Sequence, residues 1–223
     1  MQWMIPLNIL GVEQRLVLEQ CIGSADACHW IQGSAGSGYT VLLMHAMEIL
    51  RTKSPGESMC FISCSKGLKG NTSASWIELG DEMRVTLQMP ESFVRAGVKY
   101  DVILVDDIED IETSHLCRLK SLSDRLIIAG DFNQSIFDGC VTESDVYETL
   151  NPTTHRLHVY YRLTQSILTI ANTILPNAAI AGAKISRGGD TDVVLAKADS
   201  DASEANWVIN KANQLSKPGR PAV

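Results

Sequence analysis

Between residues 101 and 106 the chain reads Asp-Val-Ile-Leu-Val-Asp, four branched aliphatic side chains in a row between two acids. A strand with one wet face alternates apolar and polar residues, so a run that is apolar throughout its centre predicts burial on both faces. Such a strand belongs in a parallel sheet with helices on each side. The rest of the chain supplies the other pieces. Residues 29–32, 59–64 and 126–129 are further short apolar runs, and 39–50 reads as a helix. Residues 164–175 carry Ile167, Leu168, Ile170, Ala171, Ile174 and Leu175 as a helical stripe, and 201–215 is an acid-capped helical pattern. This alternation predicts an α/β chain with a parallel sheet. Residues 193–196 are expected to form a strand, the Ala- and Gly-rich 176–190 a loop or weak helix, and 220–223 the start of another strand.

The second constraint is a glycine-rich turn. Gly33-Ser34-Ala35-Gly36-Ser37-Gly38-Tyr39-Thr40 follows a predicted strand and opens a predicted helix. That is the setting of a phosphate-binding loop of pattern GxxxxGK[ST]. Its glycines let backbone N–H groups converge on a phosphate, and the helix start adds its positive end. Thr40 would offer a hydroxyl to Mg²⁺. The lysine position, however, holds Tyr39.

Four further segments occur in order around that loop: Gln14 at the end of Leu7-Asn-Ile-Leu-Gly-Val-Glu-Gln14, then 101–110 (DVILVDDIED), 130–137 (GDFNQSIF) and 160–168 (YYRLTQSIL). Together with the loop they resemble the UvrD/Rep-type superfamily 1 DNA helicases from Leu7 to about Asn172, with a weaker likeness onward to Val223. The resemblance implies a P-loop NTPase fold, with a RecA-like ATP-binding lobe over 1–150 whose inserted subdomain is absent or very short. It implies a partial second RecA-like lobe over 151–223. It also implies roles: Gln14 reading the adenine edge, Asp106 holding the Mg²⁺ shell with Thr40, and Asp107 standing where the family has the water-activating glutamate. Gln134 would sense the γ-phosphate, Tyr161 would stack on adenine and Arg162 would reach the γ-phosphate. ATP or ADP and Mg²⁺ are the cofactors so implied. Ser65 and Lys66, helped by Lys69, Asn71 and Thr72, resemble the family's DNA-contacting motif.

Departures from the pattern bear on activity. Losing a preorganised donor such as the lysine costs about 10²–10³ in rate, and a carboxylate misplaced by about 1 Å, as Asp107 would be, costs on the order of 10²-fold. Asp138-Gly139-Cys140 stands where the family places an aromatic and an arginine. The expectation is therefore a helicase-like nucleotide-binding protein with weak or absent ATPase and a regulatory or partner-binding role. An active ATP-dependent helicase and a nucleotide-independent interaction scaffold, with Tyr39 plugging the loop, are the alternatives.

Composition narrows the partners. The chain has 223 residues, 45% hydrophobic and 20% charged, a globular balance. Its 19 basic and 26 acidic residues give a net charge of −7, so single-stranded DNA binding is expected to be weak or absent. An incomplete second lobe would leave an apolar sheet edge near Ala222 and Val223, which makes a protein partner or oligomer plausible. No run of about 18 apolar residues suggests a membrane span, and the start shows no secretory signal pattern. Six cysteines without paired CxxC spacing read as free thiols of a cytoplasmic protein, with no zinc site expected.

Overall fold

The computed structural model describes residues 5–24, 26–64, 85–174, 184–185, 193–194 and 196–215. Helix α1 (Val12–Gly23) leads into β1 (Cys28–Gly33), and α2 (Tyr39–Lys53) into β2 (Met59–Ser63). Then come β3 (Thr86–Gln88), α3 (Pro90–Ala96), β4 (Tyr100–Asp106), α4 (Thr113–Ser121), β5 (Ser123–Gly130), α5 (Glu143–Leu150) and β6 (Thr153–Leu157). These six strands form one parallel sheet in the order β3-β2-β4-β5-β1-β6. A parallel pair, β7 (Val159–Tyr160) and β8 (Lys184–Ile185), follows with α6 (Gln165–Ile174) and α7 (Asp201–Leu215).

The central strand behaves as its composition demands. Val102 and Leu104 lie in an apolar cluster with Leu42, Leu43 and Met47 of α2. Ile103 and Val105 lie in a second cluster with Phe93 of α3, Leu116 of α4 and Val146 of α5. The strand's two sets of side chains thus enter different cores. Fully burying each such side chain contributes about 1.5–3 kcal/mol, which fixes the register and leaves the strand ends to carry chemistry.

The expected elements at 29–32, 39–50, 59–64, 101–106, 126–129 and 164–175 are present with end shifts of up to three residues, Leu175 lying outside the described residues. The helix at 201–215 matches at both ends. The strand expected at 193–196 is corrected: Val193 and Val194 are in no strand and are exposed. Two valines favour extended backbone, but a strand also needs an edge to pair with. Strand β6 escaped notice because Thr153-Thr-His-Arg-Leu157 is mostly polar, as suits an edge strand. It carries the first sheet to Leu157, seven residues past the expected boundary at 150. Most of 176–190, and 220–223, lie outside the described residues. Among the described residues, no helix is long and apolar enough to cross a membrane.

Candidate nucleotide site

The glycine-rich loop leaves the carboxyl end of β1, and Asp106 closes the carboxyl end of β4. Strand β5 lies between these two. Both ends nevertheless open on the same edge of the sheet, the position where open α/β sheets bind ligands. Helix α2 bridges the gap, because its first turn carries Tyr39 and Thr40.

Two glycines set the shape of the loop. Gly36 (φ +88°) and Gly38 (φ +90°) take the left-handed backbone that other residues resist. A β-carbon on Gly38 would stand 2.6 Å from Nε2 of Gln14, and one on Gly36 2.7 Å from the β-carbon of Arg162. Both approaches are used. Gln14 is buried and donates from Nε2 to the Ser37 carbonyl (2.9 Å), while its Oε1 accepts from the Gly11 N–H (3.0 Å). The amide expected to read adenine therefore caps its own helix and clamps the loop. On the other side the Tyr161 N–H donates to the Gly36 carbonyl at 2.9 Å. Tyr161 thus reaches the loop through its backbone, and Arg162 stands against Gly36. The Tyr161 phenol packs on Gly11, where a β-carbon would be 1.9 Å from its oxygen.

The carboxylates lie across from the loop. Asp106 is fully buried and accepts at Oδ1 from the Thr40 hydroxyl (3.0 Å), while its Oδ2 has no partner among the described residues. Burial, then the charge of Asp107, pushes its pKa well above the ordinary range against the Thr40 hydrogen bond. Asp107 adopts φ +54°, turning the chain so that its Oδ1 accepts from the Tyr39 hydroxyl at 2.9 Å. Burial raises the Asp107 pKa too, with that hydrogen bond opposing. Tyr39 is itself buried, and burial together with Asp107, Glu109 and Asp106 raises its pKa strongly, so the phenol stays a proton donor.

Glu109 had no role in the sequence reading, although it belongs to the 101–110 segment. It is buried, and its Oε2 fills the space beside Gly130, where a β-carbon would sit 1.9 Å away. Burial lifts its pKa to about 8, against a hydrogen bond from its own backbone and one from that of Asp131. The only signal was its place between Ile108 and Ile111 in an acid-rich turn. Gln134 turns back on its own loop: its Nε2 donates to Asp131 Oδ2 at 3.2 Å. Glu13 was also missed. It accepts from the His158 and Val159 N–H groups at 2.9 and 3.2 Å, anchoring the strand that leads to Tyr161. A cleft of about 450 Å³, lined by Gly33, Ser34, Asp131, Asn133, Arg156 and His158, opens beside the loop. Ser65, Lys66, Lys69, Asn71 and Thr72 lie outside the described residues.

No protein-family model matches the chain. A probable DNA helicase II homolog of Mycoplasma capricolum subsp. capricolum is 29% identical over 131 residues, 54% of this chain and 18% of that protein. The Pif1 helicase of Candida albicans superposes with a TM-score of 0.54 at 21% identity, covering 74% of this chain and 44% of that one. The Arterivirus nonstructural protein 10 helicase, solved with DNA, superposes with a TM-score of 0.53 at 16% identity, covering 82% and 47%. The chain therefore spans less than half of these solved helicases and under a fifth of the curated relative. The fold is the helicase-type, RecA-like P-loop fold, and the sequence match supports a helicase relationship.

Proposed function

We propose that this chain is a UvrD/Rep-type superfamily 1 helicase-like nucleotide-binding protein in which Tyr39 has replaced the catalytic lysine. Residues 1–150 form the ATP-binding lobe in this reading and 151–223 part of the second. ATPase activity is weak or absent, and the role in DNA-related processes is regulatory or partner-binding. The observation that carries the reading is the 2.9 Å hydrogen bond from the Tyr39 hydroxyl to Asp107. The side chain in the lysine position brings no charge to the phosphates and occupies the carboxylate that would activate water.

Nucleotide contact is supported by what is retained. Gly33, Ser34, Ala35, Gly36, Ser37 and Gly38 would wrap the phosphates, with the start of α2 behind them. Mg²⁺ fits the donor set: hard oxygens only, with the Thr40 hydroxyl beside Asp106 and an orphaned buried Asp106 Oδ2. When bound, Mg²⁺ would offset phosphate charge. Arg162 would approach the γ-phosphate from beside Gly36, and Gln134 would have to leave Asp131 to do the same.

The test is steady-state ATPase, with and without single-stranded DNA, beside calorimetric titration of ATP and ADP with and without Mg²⁺. Both are run on the unmodified chain and on Tyr39→Lys. The expected result is ADP bound at least as well as ATP, with turnover near background. Tyr39→Lys should strengthen ATP binding more than ADP binding while hydrolysis stays slow. Turnover of about 1 s⁻¹ or more, the low end for ordinary enzymes, would establish the active-helicase reading instead. Binding of neither nucleotide would leave the scaffold reading. The DNA arm matters because only the net charge of −7 argues for weak DNA binding.

A further inference from the structure

Away from the nucleotide loop, three soft-donor side chains from three elements meet beneath α1. His29 stands near the start of β1, His155 in β6 and Cys21 in the last turn of α1. Cys21 and His29 have no exposed surface, and His155 has 9%. One potential ligand atom from each lies within 4.8 Å of the other two. The sheet register causes the meeting. His155 pairs with Ile31, two residues beyond His29, so both imidazoles project from the same face, the face that α1 covers.

The hydrogen bonds around the two rings fix their tautomers. His29 Nδ1 and His155 Nε2 are 3.1 Å apart, sharing one hydrogen, and His155 Nδ1 lies 3.2 Å from Oε1 of Gln20. An amide oxygen only accepts, so His155 carries its hydrogen on Nδ1 and turns the Nε2 lone pair towards His29. His29 Nε2 is then a buried nitrogen with no partner. The hydrogen held between Nδ1 and Nε2 is the one that a cation bound between the two rings would replace, moving the His29 hydrogen to Nε2.

We propose that Cys21, His29 and His155 form a binding site for a borderline-soft divalent cation of the Zn²⁺ class. His155 would ligate through Nε2, His29 through Nδ1 and Cys21 through its sulfur, with the fourth position left to water. The chemistry is a His₂Cys donor set, which suits Zn²⁺. Two nitrogens on a tetrahedral Zn²⁺ are roughly 3.3 Å apart and a nitrogen and a sulfur roughly 3.6 Å. The imidazole pair is already at that spacing, and the thiol needs to close by about 1 Å at most. The Gln20 contact is the outer hydrogen bond that metal-ligating histidines make, fixing tautomer and ring orientation. Both rings are buried, which favours neutral imidazoles with lone pairs available, and burial likewise holds Cys21 as a thiol until a cation draws off its proton. Cys21 binds as thiolate, so each metal ion bound releases one proton to solvent. Two charges stand nearby: Arg125, whose guanidinium donates to the Cys21 and Ser24 carbonyls, and Asp26 on the opposite side of the balance. Arg125 opposes the cation but favours the thiolate, and Asp26 favours the cation. No paired-cysteine spacing announces this site, because its ligands are assembled by strand register.

The test uses the full chain, stripped with a chelator and titrated with Co²⁺. The expected result is a thiolate-to-cobalt charge-transfer band with visible d–d bands of a tetrahedral ion, saturating at one equivalent and displaced by Zn²⁺. Cys21→Ser should abolish the charge-transfer band. Because Cys21 is fully buried, His155→Gln, on the edge strand, is the second arm: with an unchanged far-ultraviolet circular dichroism spectrum it should weaken Co²⁺ binding by more than about 100-fold. Cys117→Ser and Cys140→Ser should leave the bands intact. A folded wild-type chain without the charge-transfer band at millimolar Co²⁺, or a band that survives His155→Gln or follows Cys117 or Cys140, overturns the proposal.

Discussion

Raising the pH from 6 to 9 should remove much of the stability of the metal-free protein, and Glu109→Gln should abolish most of that loss. In the unfolded chain the Glu109 carboxyl releases its proton near its ordinary value of 4.5, and in the folded chain only near 8. Between those values the folded state holds a proton that the unfolded state does not. The stability this confers is complete below 4.5 and is lost as the pH rises through 8. At about 1.4 kcal/mol per pH unit, the whole displacement from 4.5 to about 8 is worth about 5 kcal/mol, of which about 3 kcal/mol is lost between pH 6 and 8, less if the charged carboxylate turns towards water. Domains are stable by about 5–15 kcal/mol, and each kcal/mol moves Tm by about 2–4 °C at this size. The expected fall is therefore on the order of 10 °C. Gln keeps the shape and the acceptor for the Asp131 N–H but has no proton to lose. Asp106 and Asp107 are displaced in the same direction, so a smaller fall should remain in the variant. Mg²⁺ should flatten both curves by offsetting carboxylate charge. Thermal unfolding by circular dichroism from pH 5 to 9, with EDTA or with Mg²⁺, reads all of this. Parallel curves for wild type and Glu109→Gln, or stability that rises between pH 6 and 9, would refute the reasoning.

Three substitutions probe the loop and its supports. Gly36→Ala meets both the φ of +88° and the Arg162 β-carbon at 2.7 Å, and urea unfolding should show a loss of about 1–3 kcal/mol. Gln14→Ala strands the Ser37 carbonyl and the Gly11 N–H; a loss of about 2–3 kcal/mol is expected, with weaker nucleotide binding by calorimetry. Thr142 caps α5 by accepting from the Asp145 N–H at 3.2 Å. Thr142→Ala should cost about 1 kcal/mol and leave nucleotide binding unchanged.

What was legible in the sequence was whatever burial on two faces writes into composition. Val102 to Val105 could only be a central strand, and the glycines at 33, 36 and 38 could only be a tight turn between strand and helix. Edge elements were not legible, because β6 has one dry face and a polar composition, and its Thr-Thr-His-Arg-Leu reads as a loop until β1 pairs with it. Strand order was not legible either. Nothing in the residues of β1 or β4 says that β5 lies between them, since all three are apolar runs of similar length. At the site, Gln14, Tyr39, Thr40, Asp106, Asp107 and Tyr161 gather around the glycine-rich loop, but their partners did not follow from sequence. Gln14 is a glutamine of the expected motif whose amide is committed to the backbone around it. Glu109 was hidden by its type: an acid in a turn is ordinarily wet, and only the missing β-carbon of Gly130 makes room for it to be dry.

The phenol at position 39 ties these observations together. A lysine there would bring a positive charge beside Asp107 and help neutralise the acids around it. A phenol brings one hydrogen-bond donor and no charge. It satisfies one oxygen of Asp107 and leaves Asp106 Oδ2 and Glu109 Oε2 buried without partners among the described residues. Such a cluster has two ways to remain folded: hold protons, or hold a cation. The raised pKa values of Asp106, Asp107 and Glu109 are the first way, available without any ligand. Mg²⁺ arriving with a nucleotide would be the second, and it would displace those protons. A phosphate chain entering alone would add negative charge to a cluster of acids. On this argument nucleotide binding at Tyr39 depends on Mg²⁺ more steeply than binding at a lysine-bearing loop. Restoring lysine would relax both the Mg²⁺ requirement and the proton uptake, because one ammonium group would do part of the work of each.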